Sequence, residues 1–149
     1  MRILIQRVKR AKVVVEGQEV AEIGHGLLLF VGIGKDDETS DLEYICKKVS
    51  NLRIFQDEEG KMNLNIHQVN GQILSVSQFT LYANTKKGNR PGFDQSAGPN
   101  MAEDYWHTFN SLLRENGIDL KEGIFGAHME VDFVNDGPVT IWIDSRGPA

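Results

Sequence analysis

The sequence predicts a single α+β domain, a mostly antiparallel sheet or open β-barrel with two main helices packed on it, and three observations carry that expectation. Short runs rich in Val, Ile and Phe crowd the first third of the chain and return at its end. Two separate segments switch to helical spacing, and no internal repeat, low-complexity tract or composition break marks a linker. A chain of 149 residues fits one domain able to bury roughly 70% of its unfolded surface.

Four strands are expected first, Arg2 to Val8, Lys12 to Glu16, Gln18 to Ile23 and Leu27 to Ile33, broken by Lys-Arg, Glu-Gly and Gly-His-Gly punctuation. From Ser40 to Leu52 the period changes: Leu42, Ile45, Val49 and Leu52 share one face, with Lys47 and Lys48 opposite. A short strand, Arg53 to Gln56, runs into a turn at Asp57-Glu58-Glu59-Gly60. Gln72 to Tyr82 reads as one long strand of β-branched and aromatic residues. Residues 83–98 lose all period, and a loop of that length inside a compact domain is usually functional or mobile. A second helix follows Gly98-Pro99-Asn100, with Met101, Tyr105, Phe109 and Leu112 as its apolar stripe and Gly117 as its stop. The last two strands, His128 to Val134 and Val139 to Ile143, are joined by a turn at Asn135-Asp136-Gly137-Pro138, and residues 145–149 are expected to fray.

Charge and cysteine content narrow the function. Sixteen Lys and Arg against twenty-one Asp and Glu give a net charge of −5, which argues against a protein that coats nucleic acid through a broad basic face. Local clusters remain, Arg7, Lys9, Arg10 and Lys12, and Lys86, Lys87 and Arg90, whose bland reading is solvated surface. The single Cys46 and the absence of a charged-then-apolar leader imply a reducing, cytoplasmic setting. The longest apolar stretch, Gly26 to Ile33, is too short for a membrane span of about 20 residues. The four histidines lie in no ligand spacing, so no metal and no cofactor are expected. No nucleophile elbow, P-loop or dinucleotide fingerprint follows a strand.

Two stretches carry chemistry. Ser77-Gln78-Phe79-Thr80 sets hydroxyl and amide groups at a strand end before the long loop, where backbone N–H groups and a hydroxyl can steady an oxyanion. As a strand it would put Ser77 and Phe79 on one side and Gln78 and Thr80 on the other; the bland alternative is cross-strand pairing. Asn135-Asp136-Gly137-Pro138-Val139-Thr140 is first a turn, with a Gly-Pro peptide whose cis or trans state the sequence leaves open.

Taken in order, Leu4-Ile5-Gln6-Arg7-Val8, Gly60-Lys61-Met62-Asn63-Leu64, Ser77-Gln78-Phe79-Thr80-Leu81, Arg90-Pro91 and Asn135-Asp136-Gly137-Pro138-Val139-Thr140 resemble the bacterial D-aminoacyl-tRNA deacylases, over residues 1 to about 144. The resemblance implies a homodimer with active sites at the subunit interface, hydrolysing the ester of tRNA charged with a D-amino acid or glycine at its acceptor end. It implies that Gly137-Pro138 enters the partner's active site, that Arg7 holds its orientation, and that Ser77, Gln78, Phe79 and Thr80 wall the scissile ester. By the same likeness Phe125, Met129 and Ala102 line an adenosine pocket, or serve as plain core packing, and Lys86, Lys87 and Arg90 touch tRNA phosphates. Nothing beside Thr80 supplies the base a threonine nucleophile needs, so the resemblance is taken to imply water assisted by the adenosine 2′-hydroxyl. Two other readings stay open: an esterase or amidase acting on free D-amino acid derivatives, and a nucleic-acid binding module without chemistry.

Overall fold

The computed structural model describes residues 1–147 and shows a mixed sheet nearly closed into a barrel, with two helices. β1 is Arg2–Val15, β2 Gln18–Ile23 and β3 Gly26–Gly32. α1 is Thr39–Asn51, and β4 (Phe55–Gln56) and β5 (Met62–Leu64) form a small hairpin. β6 (Gln72–Ser77), a 3₁₀ turn (Phe79–Tyr82), α2 (Pro99–Glu115), β7 (Asp119–Glu122) and β8 (Glu130–Asp144) complete the chain.

The sheet grows from β1, which pairs antiparallel with β3 through its first half, with β2 through its second, and with β8 along nearly its whole length. The strands expected at Arg2 to Val8 and Lys12 to Glu16 are therefore one. Exposed Lys9 and Arg10 interrupt the burial alternation at a register shift, which mimics a break in the sequence without ending the strand. From β3 the sheet continues with parallel pairing to β6 and then β7, so it is more mixed than expected. β7 is too short and charged to announce itself; its pairing with β6 makes it a strand.

β3 is buried along almost its entire length because both its faces are covered. Leu27, Leu29 and Val31 face the helices, where Ile3, Ile5, Leu42, Ile45, Val49, Trp106, Phe109 and Leu113 pack. Leu28 faces the other way, with Val8, Val13, Leu74 and Val76 inside the curved sheet. Helix α2 buries Ala102, Trp106, Phe109 and Leu113, while Met101, Tyr105 and Leu112 are only half-buried. Of the predicted stripe Phe109 is fully buried, while Ala102, Trp106 and Leu113 take the other apolar buried places; the Trp106 indole N–H donates to Ser75 Oγ at 2.9 Å.

Ser145 and Arg146, part of the segment expected to fray, are tied down. Ser145 N–H donates to the Met1 carbonyl at 2.8 Å, the Ser145 hydroxyl donates to Asp41 Oδ1 at 2.7 Å, and Arg146 pairs with Asp41 at 3.1 Å. Residues 148 and 149 lie outside the described residues. Burial pushes the Asp41 carboxyl upward, but Arg146, the Glu38 N–H and the Ser145 hydroxyl outweigh it and bring its pKa down to about 2. A carboxylate whose pKa falls on folding stabilises the fold above its unfolded value of about 3.9, and that contribution is lost as pH drops through the folded value. Asp41→Asn should accordingly cost on the order of 2 kcal/mol at pH 7 and little at pH 2. Urea midpoints compared at both pH values check this; a gap that stays constant would assign the cost to packing.

Candidate active site

Strand β6 ends at Ser77, not at Tyr82. Gln78 N–H donates to the Val31 carbonyl at 2.7 Å, after which Leu81 N–H reaches back to Gln78 O and Ala83 N–H to Thr80 O, winding the 3₁₀ turn. Neighbouring glycines make room for it. A Cβ on Gly32 would lie 3.1 Å from Gln78 O and 3.2 Å from Leu81 Cβ, and one on Gly34 would lie 2.8 Å from the Tyr82 hydroxyl. These two glycines let the turn lie across the end of β3.

The turn forms one wall of a cavity of about 580 Å³, within the range of about 300–1,000 Å³ usual for small-ligand sites. Because the backbone winds, Ser77, Gln78 and Phe79 all line it, in place of the strand-like alternation expected. Ala102, Phe125 and Met129, expected for an adenosine pocket, line it as well. Spacing alone does not disclose Phe93 and Ser96 from the long loop, Trp106 on α2 beside Ala102, or His128 next to Met129, which complete the lining. Phe93 was signalled only as an aromatic inside the long polar loop; it packs edge-on against half-exposed Phe79, with ring centroids 4.9 Å apart. Trp106 and Phe125 sit 6.0 Å apart at the opposite wall.

Thr80 stands on the turn but outside the lining, exposed, accepting a hydrogen bond from the Gln78 amide. The first N–H groups of a helical turn have no acceptor within it, and those of Phe79 and Thr80 occupy that position. Lys86, Lys87 and Arg90 are exposed at the tip of the loop whose base supplies Phe93, Ser96 and Ala97 to the cavity. Paired hydrogen bonds between Asn84 and Gly92, at 2.8 and 2.9 Å, close the tip.

Asn135 to Pro138 make no hairpin turn. β8 runs through them, with Asn135 opposite Val8 and Thr140 opposite Gln6, so that Asp136, Gly137, Pro138 and Val139 face Arg7 alone and bulge outward. The Asn135 amide spans the base of the bulge, donating to Arg7 O at 3.0 Å and Val139 O at 3.1 Å, and the Thr140 hydroxyl bonds Gln6. Arg7, only 4% exposed, donates to the Ile54 carbonyl at 2.7 Å and to the Asp136 carbonyl at 3.3 Å, and pairs with the Asp136 carboxylate. Gly137-Pro138 is cis, Gly137 has a φ of +121°, and both residues are exposed at the crest. Arg7, Gly137 and Pro138 are thus brought together, but none lines the cavity of their own chain.

A family model described as D-Tyr-tRNA(Tyr) deacylase matches residues 4–144. The chain belongs to that family. Its members are hydrolases of aminoacyl-tRNA esters, and D-aminoacyl-tRNA deacylation is the activity that follows for this chain. A solved structure described as a c-Myc DNA unwinding element binding protein is 39% identical, with full coverage of both chains and a TM-score of 0.92. Another, described as a probable eukaryotic D-amino acid tRNA deacylase, shares the fold at 16% identity, covering 95% of this chain and 97% of its own, with a TM-score of 0.84. In this deacylase family member, no described helix is long and apolar enough to cross a membrane.

Proposed function

We propose that this chain is a chiral editing enzyme of translation, a cytoplasmic homodimer that hydrolyses D-aminoacyl-tRNA and glycyl-tRNA mischarged on tRNA(Ala), and spares the L esters. The carrying observation is the pairing of a cavity walled by the Ser77–Phe79 segment with an exposed Gly137-Pro138 crest that lies outside the lining of its own cavity. In the dimer the crest of one subunit enters the cavity of the other.

The chemistry then needs little from side chains. The terminal adenosine lies among Phe125, Met129 and Ala102, and carbonyl oxygens at the crest accept hydrogen bonds from the substrate's α-ammonium. Water, assisted by the adenosine 2′-hydroxyl, attacks the ester carbonyl; the N–H groups of Phe79 and Thr80 stabilise the oxyanion, and the ribose 3′-oxygen leaves with a proton. An L side chain would strike the crest while a D side chain points outward, so selection is by exclusion and glycine passes. Lys86, Lys87 and Arg90 meet backbone phosphates of the acceptor end.

Single-turnover hydrolysis of D-Tyr-tRNA, L-Tyr-tRNA and Gly-tRNA tests this reading. The native protein should clear the D and glycyl esters and leave the L ester, and Thr80→Ala should retain substantial activity because the hydroxyl is no nucleophile. Turnover abolished in a folded Thr80→Ala protein would restore an acyl-enzyme route. A 2′-deoxy terminal sugar should remove most of the rate; full activity on it would favour a small-molecule esterase. The 39% identical relative described as a DNA-binding protein supports a second reading, binding of duplex DNA, for which a salt-sensitive gel shift is the test.

A further inference from the structure

The cavity wall is almost free of ionisable groups. Of its described lining residues His128 alone carries a titratable side chain. The ionisable neighbours in sequence, Asp94 beside Phe93, Glu103 beside Ala102, His107 beside Trp106 and Glu130 beside Met129, are absent from the lining. His107 is further occupied by Glu103 and Glu122, at 3.7 and 4.0 Å.

Position within the wall separates His128 from the rest. Phe125, Gly126, Ala127, His128 and Met129 line the cavity consecutively because Gly126, with φ of +77°, and the Ala127 N–H to Ile124 carbonyl bond fold the segment into a turn. Met129 is half-buried, while the lining residues exposed to solvent are Phe79, Pro99, Gly126 and His128. These four mark the mouth, and His128 alone among them offers a polar side-chain donor.

A nucleotide entering such a cavity must divide itself. Its base and ribose can lie against aromatic walls, but an ionised phosphate loses too much hydration energy in an apolar, uncharged interior and has to remain at the mouth. Histidine gains charge as pH falls from about 8 to 5, and a hydrogen bond from its charged form to a phosphate oxygen is roughly twice as strong as a neutral one.

Resting on the deacylase reading, we propose that His128 is a substrate-binding residue that holds the 5′-phosphate of the terminal nucleotide at the cavity mouth, giving nucleotide binding a dependence on pH that the rest of the wall does not impose. It binds and does not perform the chemistry.

The test compares adenosine 5′-monophosphate with adenosine, followed by NMR of the native protein and of His128→Gln, which keeps a donor without the charge. At pH 6 the native protein should prefer the monophosphate by roughly fivefold to tenfold, the preference should fade by pH 8.5, and the variant should show little preference at either pH. With D-Tyr-tRNA the variant should raise KM at pH 6 and leave kcat unchanged. An equal monophosphate preference in both proteins would overturn the proposal, and so would a kcat that falls with KM unchanged, which would make His128 a base. A native protein that hydrolyses no D ester while retaining its His128-dependent preference for the monophosphate would refute the deacylase reading and leave the phosphate contact standing.

Discussion

Gly137→Ala should lower hydrolysis of D-aminoacyl esters by roughly fivefold to 150-fold, since backbone strain of about 1–3 kcal/mol falls on a site where each ~1.36 kcal/mol is a factor of ten. The cause is local. At φ +121° the backbone lies where L residues rarely go, and a Cβ would sit 2.9 Å from Val139 Cγ2, 3.0 Å from Arg7 Nη2 and 3.1 Å from Val139 N. Arg7 cannot easily withdraw, because its other nitrogens are committed to the Ile54 and Asp136 carbonyls. The bulge must therefore move, and the crest loses its aim. As Gly137 and Pro138 are exposed to solvent at the crest, the melting temperature should change far less than the rate.

The same variant can reveal whether the crest acts in the partner. Ala102→Phe should fill the cavity from the buried face of α2 and be inactive for a different reason. If the crest serves the other subunit, mixing the two impaired proteins under exchange gives heterodimers in which one site has both an open cavity and an intact crest, and activity rises above that of either variant alone. No recovery, with heterodimers demonstrated, would mean that crest and cavity work within one chain or not together at all.

How far the sequence discloses this arrangement depends on what decides each element. Period alone places both helices and most strands, because amphipathic spacing is a local property. The 3₁₀ turn escapes: Phe79-Thr80-Leu81-Tyr82 has the composition of a strand, and what ends β6 is a hydrogen bond from Gln78 to Val31 on another strand. Asn-Asp-Gly-Pro has turn composition yet stays in the sheet, since Asn135 and Thr140, on either side of the bulge, both remain paired with β1. Of the cavity, the Ser77 to Phe79 wall and Ala102, Phe125 and Met129 are legible through family likeness. Trp106 and His128 are not, because their presence in the wall depends on which way α2 rolls and where the segment after β7 folds back.

Two glycines on β3 should separate folding from catalysis. A Cβ on Gly26 would lie 1.9 Å from the Gln72 carbonyl oxygen and 2.7 Å from its nitrogen, backbone atoms of the paired strand that cannot turn aside. Gly26→Ala should force β3 and β6 apart and cost more than about 4 kcal/mol, the range reserved for outright steric failure. Gly32→Ala asks less: contacts of 3.1 to 3.2 Å with Gln78 O, Leu81 Cβ and Tyr82 Cε2 require the turn to lift by a few tenths of an ångström. The fold tolerates that shift, but the donors of Phe79 and Thr80 do not, because displacements on the order of 1 Å can cost 100-fold in rate. Gly32→Ala should lose roughly tenfold in kcat with KM and the urea midpoint near native values, whereas Gly26→Ala should yield little folded protein. Native kcat in Gly32→Ala would show that the turn's donors are not aimed at the reacting ester, and the oxyanion role would have to pass to the other wall of the cavity.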